Sequence, residues 1–224
     1  MNTHAIVTGA AGVLGQAVTQ ALVAAGYRVT GIDRAADAGS TGSSAYLGGV
    51  DLSDPAAAAK AIDQAISANG PVVALVNVAG TFRWETVADG DVATWATMFD
   101  INLRTAVNAV RAALPSLREG GGAIVSIGAA SAVKAAAGMG AYAASKAGIA
   151  KLTEALADEE KDNGVRINAV LPSIIDTPAN RSDMAGADFS RWVSPAQVAS
   201  VIAFLLSDSA AAVTGACIPV TGRC

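Results

Sequence analysis

Short apolar, β-branched runs recur along the chain at Ala5–Thr8, Arg28–Ile32, Val72–Val76, Ala123–Ile127, Val165–Val170 and Ala216–Val220. Longer stretches of helical character separate them: Gly12–Ala25, Pro55–Ala68, Val92–Leu117, Met139–Asp162 and Pro195–Leu206. Strands covered on both faces read as continuous apolar runs rather than as alternating ones, so this pattern predicts a parallel sheet with helices on both faces. Right-handed βαβ crossovers then wind the whole chain, 1–224, into one α/β domain with a doubly wound sheet. The punctuation agrees. Ser53-Asp54-Pro55 and Ser194-Pro195 each offer a polar cap with proline in the first helical turn, and Gly26 and Gly164 stand where helices should stop. Two segments are expected as loops: the small, polar Ala35–Ser44, and Asp176–Trp192, which is long for a compact domain and so a candidate lid.

Composition narrows the class. Hydrophobic residues make up 52% of the 224 and charged residues 15%, which excludes a disordered chain. Mean hydropathy is positive (+0.43), yet no apolar run reaches the roughly 18–20 residues of a membrane span. A net charge of -4 provides no electrostatic footprint for nucleic acid or an anionic membrane. The N-terminus has neither a basic stretch nor a cleavage site, so a cytoplasmic location is expected. Cys217 and Cys224 form no ligand-like cluster, no metal site is expected, and the single histidine, His4, reads as a solvated surface residue.

The first strand runs into Thr8-Gly9-Ala10-Ala11-Gly12-Val13-Leu14-Gly15 and then a helix. Glycines at such a strand–helix turn let the backbone approach a pyrophosphate, and the helix N-terminus supplies N–H donors and a favourable dipole. Gly9, Gly12, Val13, Leu14 and Gly15 are therefore read as cofactor-binding, in a Rossmann-type dinucleotide domain. The second strand ends at Asp33-Arg34. A carboxylate there accepts from ribose hydroxyls and repels a 2′-phosphate, which favours NAD, whereas Arg34 can grip that phosphate and leaves NADP open. Asp51-Leu52 can meet the adenine edge or form a plain turn.

Tyr142 and Lys146 lie four apart early in a predicted helix, so both can point at one place. A cation beside a phenol lowers its pKa, which would make Tyr142 a general acid or base for a carbonyl or imine substrate. Together with Thr8-Gly9…Gly15, Asn77-Val78-Ala79-Gly80, Asn102, and Leu171-Pro172 followed by Thr177, these residues resemble the short-chain dehydrogenase/reductase family over nearly the whole chain. The resemblance implies that Tyr142 is the acid/base, and that Lys146 tunes it and holds the nicotinamide ribose. It further implies that Asn102 anchors a relay water, and that Asn77, Ala79, Gly80, Pro172, Ile175 and Thr177 line the cofactor. Asn102 alone also reads as a helix-interior Asn with a solvated side chain.

Three positions depart from the family pattern. The serine expected thirteen residues before the tyrosine is Ala129, with Ser126 or Ser131 able to substitute only through a shifted register. Gly12-Val13 replaces the usual spacing of the middle glycine, and Ser173 follows Pro172 where glycine is usual. Gly128-Ala129, Gly138-Met139 and the segment from Asp176-Thr177-Pro178 to Arg191-Trp192 are similar to quinonoid dihydropteridine reductases, a branch that uses NADH and also lacks the serine. The expected activity is hydride transfer between NAD(H) and a small carbonyl, alcohol or quinonoid dihydropterin, with 3-oxoacyl thioesters and a non-catalytic, redox-sensing NAD-binding module as alternatives. Phe189 and Trp192 either stack on a flat substrate or pin the loop, and Arg181 and Asp188 either orient a polar substrate edge or do nothing specific. Family members commonly pair two long helices between subunits, so the resemblance implies a homotetramer or homodimer.

Overall fold

The computed structural model describes residues 3–37 and 42–224. Seven strands, β1 (His4–Thr8), β2 (Arg28–Ile32), β3 (Ala45–Leu47), β4 (Val72–Asn77), β5 (Gly122–Ile127), β6 (Val165–Pro172) and β7 (Cys217–Val220), form one sheet in the order β3-β2-β1-β4-β5-β6-β7. Every pairing is parallel. Chain order reverses between β1 and β4, so a crevice opens there beyond the carboxyl ends of the strands. β3 is not among the six apolar runs, because it has only three half-buried residues. The expected loop at 35–44 lies partly outside the described residues.

The long helices are α1 (Val13–Ala24), α2 (Pro55–Asn69), α4 (Thr105–Gly120), α5 (Gly140–Glu160) and α7 (Pro195–Leu206), with the shorter α3 (Val92–Phe99) and α6 (Pro178–Asp183). One core layer puts Val18 and Leu22 of α1 and Val198 and Ile202 of α7 against the sheet. The other puts Ile62, Ala109, Leu117 and Leu156 of α2, α4 and α5 on the opposite face. Asp54 caps α2 by accepting from Ala56 N at 2.9 Å, and Ser194 with Gln197 forms a reciprocal capping box on α7.

Three expectations are corrected. The helix expected over Val92–Leu117 is interrupted by a π turn, Asp100–Arg104, between α3 and α4. Such a wide turn re-aims the side chains it carries, here Asn102. Asp176–Trp192 is not structureless, since it holds α6, capped by Thr177, and a 3-10 turn at Phe189–Arg191. Finally, His4 is not on the surface. It is 0% exposed, bonded to Gly70 O and to Thr30 Oγ1, each at 2.8 Å.

Burial pushes the His4 imidazole below its ordinary 6.5, with the nearby Arg28 adding to the effect against the raising influence of the Gly70 carbonyl. The folded chain therefore holds a proton on His4 less readily than the unfolded chain does. The stability contributed by neutral His4 is present above about pH 6.5 and is lost as pH falls through its depressed folded value. Thermal unfolding should show a steeper loss of Tm between pH 8 and pH 5 in the wild type than in His4→Gln. Equal slopes would remove His4 as the cause.

Candidate active site

At the switch point between β1 and β4, a cavity of about 730 Å³ opens at the carboxyl edge of the sheet. Its floor is the turn out of β1. Gly9 takes φ 66° there, and the turn delivers the chain to Gly12, the N-cap of α1, which has no side-chain cap. The first N–H groups of α1 thus face the cavity without a side-chain acceptor, which suits an anion. Gly9, Gly12, Val13, Leu14 and Gly15 all line it. Val13 begins the helix with its side chain 46% exposed, so the unusual Gly12-Val13 spacing leaves the cradle open.

Asp33 and Arg34, from the end of β2, lie on the wall. The Asp33 carboxylate accepts from Ala11 N at 2.9 Å and from Ala35 N at 3.0 Å, so it serves as a turn residue and also braces the phosphate-type turn. Asp51 and Leu52 line the same end. Ser53 donates from its N and its hydroxyl to Asp51, which holds that carboxyl below its usual range, and Asn108 fixes the turn by donating to Leu52 O at 2.9 Å.

The opposite end is built around α5. Tyr142 and Lys146, one helical turn apart, both reach the cavity wall. Lys146 is 4% exposed, and its ammonium donates to Ile127 O at 2.8 Å. A Cβ at Gly80 would stand 2.9 Å from Asn102 Oδ1 and 3.2 Å from Lys146 Nζ, so glycine is what lets these two groups close on the β4 turn. Asn102 is 1% exposed, not solvated. Its Oδ1 accepts from Thr81 N at 2.8 Å, and its Nδ2 donates to Ser145 Oγ at 3.0 Å, so it ties the β4 turn to α5. Thr8 Oγ1 holds the same turn by accepting from Val78 N and Ala79 N, at 3.2 and 3.3 Å.

Electrostatics here differ from the expected lowering of the tyrosine. Burial alone pushes Tyr142 up to about 12, and burial pushes Lys146 down to about 8. In this state Tyr142 is a protonated phenol, a proton donor rather than a ready base.

Ala79, Gly80, Ile175 and Thr177 also line the cavity, as read from the sequence. Asn77 and Pro172 do not reach it. Asn77 donates to Ser126 Oγ at 3.2 Å between β4 and β5, and Pro172 is buried at the end of β6. Asn102 likewise stands behind the wall, one layer back. Thr81, Ile101, Ile127 and Ala179 line the cavity but were not among the expected residues. Ile127 was findable, since it ends a strand at the edge where such folds bind ligands.

Neither serine replaces the missing one. Ser126 is buried against Asn77, and Ser131 Oγ is buried without a partner, away from the wall. The segment after β6 lines the cavity with Ile175, Thr177 and Ala179, while its outer part is pinned by internal contacts. Trp192 is buried with Phe189 against it at 4.7 Å, Arg181 lies 4.8 Å over Phe189 and pairs with Asp176 at 2.5 and 2.8 Å, and Asp188 accepts from Ser190 N.

Comparison with known proteins matches residues 3–187 to the short chain dehydrogenase family. The chain is 33% identical over 237 residues to an acetoacetyl-CoA reductase of Acinetobacter sp., covering 97% of this chain and 96% of the relative. It is 32% identical over 225 residues to an inactive 2-(S)-hydroxypropyl-CoM dehydrogenase 2 of Xanthobacter autotrophicus, covering 92% and 98%. Among solved structures, the ligand-free aldohexose dehydrogenase of Thermoplasma acidophilum aligns with a TM-score of 0.92 at 28% identity, over 99% of this chain and 93% of that one.

Proposed function

The chain belongs to the short-chain dehydrogenase family, and on that footing we propose that it is an NAD(H)-dependent oxidoreductase acting on a small carbonyl, its alcohol, or a quinonoid dihydropterin. The observation that carries this reading is one cavity with an uncapped helix N-terminus at one end and Tyr142 with Lys146 at the other. The donor set fits a dinucleotide. The α1 N–H groups and the glycine turn would hold the pyrophosphate, Asp33 the adenosine ribose, and Lys146 the nicotinamide ribose.

When bound, a reduced nicotinamide supplies two electrons as hydride to the carbonyl carbon or imine of the substrate. Tyr142 donates its phenolic proton to the oxygen or nitrogen that gains the displaced electron pair. The Lys146 ammonium stabilises the phenolate left behind, and Asn102 keeps Thr81 and α5 in register around that proton. In the reverse direction the same phenolate takes the proton of the alcohol.

Asp33 on the wall supports NADH over NADPH, because its carboxylate repels a 2′-phosphate; Arg34 beside it works in the other direction. NADH should bind about tenfold tighter than NADPH, a difference of about 1.4 kcal/mol. The deciding assay follows NADH oxidation with acetoacetyl-CoA, simple ketones and quinonoid dihydropterin. Turnover of at least one is expected. A second reading, an NAD-binding module without catalysis, draws on Ala129 and on the inactive relative. NADH binding with no turnover across that panel would establish it.

A further inference from the structure

Phe82 packs on Tyr142, Trp84 follows two residues later against Gly138, and the chain's own packing leaves both rings partly open. Phe82 is 50% exposed and Trp84 is 60% exposed. Both lie on the segment that leaves β4 just after the cavity-lining Thr81, and that segment has neither helix nor strand up to α3. It is nevertheless fixed. Phe82 meets the Tyr142 ring edge to face at 4.9 Å. Trp84 donates from Nε1 to Ala137 O at 3.0 Å, and Glu85 N donates to Gly138 O at 2.8 Å. Arg83 donates to Thr94 Oγ1 at 3.2 Å, which ties the same segment to α3.

Gly138 is the seat of the indole. It takes φ 75°, and a Cβ there would stand 2.1 Å from Trp84 Cε2. Any side chain at that position would lift the indole off. The loop before α5 is therefore shaped to hold a tryptophan flat against it, with the outer face turned to solvent. An indole 60% exposed and held this firmly has no role in the core, and the burial energy of its open face is unrealised until something covers it.

We infer that Trp84, with Phe82, forms an aromatic shelf outside the cavity wall on the Tyr142 side, and that this shelf takes the face of a planar, electron-poor ring bearing the reacting carbonyl or imine. The inference rests on the hydride-transfer reading and names its substrate class. Two observations meet in it. The π faces of an indole and a phenyl ring are electron-rich, so an electron-poor ring stacks on them best. Ala129 leaves the site without the hydroxyl that would polarise an ordinary ketone, so the acceptor must bring its own electrophilicity, as a conjugated ring does.

The test uses the purified protein with NADH and two probes, 9,10-phenanthrenequinone as the planar ring and acetoacetyl-CoA as the open chain. Trp84→Ala should raise KM for the quinone about tenfold with kcat within about twofold, and leave KM for acetoacetyl-CoA unchanged. Trp84→Phe, which keeps a ring on Gly138, should restore quinone KM to within about threefold. Independently of turnover, the quinone should quench tryptophan emission in the wild type, and that quenching should be lost in Trp84→Ala although Trp95 and Trp192 remain. If Trp84→Ala does not fold, Trp84→Leu reads the same contrast. Equal KM shifts for both probes, or quenching unchanged by the substitution, would overturn the shelf. Quenching through Trp84 with no turnover of any acceptor would sink the oxidoreductase reading and leave the shelf standing.

Discussion

Tyr142→Phe should lower turnover by about 10²–10⁴-fold while NADH affinity stays within about twofold. The substitution removes one oxygen and keeps the ring, so the edge-to-face contact with Phe82 and the start of α5 persist. What is lost is the only phenolic proton that the described residues place on the cavity wall. The pH profile gives a second readout. With burial pushing Tyr142 up to about 12, the phenol stays protonated across the neutral range, so reduction is not limited by its supply of protons. Burial pushes Lys146 down to about 8; below that pH the ammonium is present to stabilise the departing phenolate, and above it the neutral amine does so less well. Wild-type reduction should therefore run level below about pH 8 and fall above it, whereas oxidation, which needs the phenolate, should rise with pH. Steady-state kinetics in both directions, with NADH titrated by fluorescence, measure all of this. A Tyr142→Phe enzyme within about tenfold of wild type would remove Tyr142 as the proton donor.

Much of the site was legible because it depends on local geometry. A strand–glycine–helix turn dictates an anion cradle from sequence alone, and a spacing of four on a helix dictates that Tyr142 and Lys146 share a wall. What escaped depends on contacts between distant segments. His4 looks like a surface residue in the chain, but it is enclosed because Gly70, at the end of α2, and Thr30, on β2, present an acceptor and a hydroxyl to its ring. Asn77 belongs to the β4 turn by sequence, yet register with β5 turns its amide onto Ser126 and away from the cavity. The π turn at Asp100–Arg104 breaks no periodicity a reader can see, because the apolar pattern continues through it; it shows only in the way Asn102 reaches Thr81 and Ser145 together. The tyrosine's electrostatics escaped for a related reason. The sequence supplies the cation but not the burial, and burial is the larger influence on both groups.

Ala129→Ser should raise kcat/KM for unactivated open-chain ketones by up to about 10²-fold, and for planar, activated acceptors by less than about threefold. Ala129 follows β5 with extended backbone, φ -159° and ψ 148°, two residues after Ile127. Side chains two apart on extended backbone share a face, so position 129 lies on the side of the cavity-lining Ile127, although the Ala129 methyl itself does not reach the wall. The new hydroxyl would add only one oxygen to a site where Ala129 is 4% exposed, and extended backbone accepts serine without strain. A donor placed there would stabilise the oxyanion that develops as hydride reaches an ordinary carbonyl, a contribution worth about 2.7–4 kcal/mol when a comparable donor is removed elsewhere. An activated ring delocalises that charge itself and gains little. The contrast between the two substrate classes is thus the measurement, not either rate alone. Equal gains on both would mean that the hydroxyl acts by ordering the loop after β5, and no gain on either would mean that Ala129 does not face the reacting carbonyl. The expected contrast would make Ala129 the residue that sets the acceptor class, with the Trp84 shelf supplying the affinity that an open-chain ketone lacks.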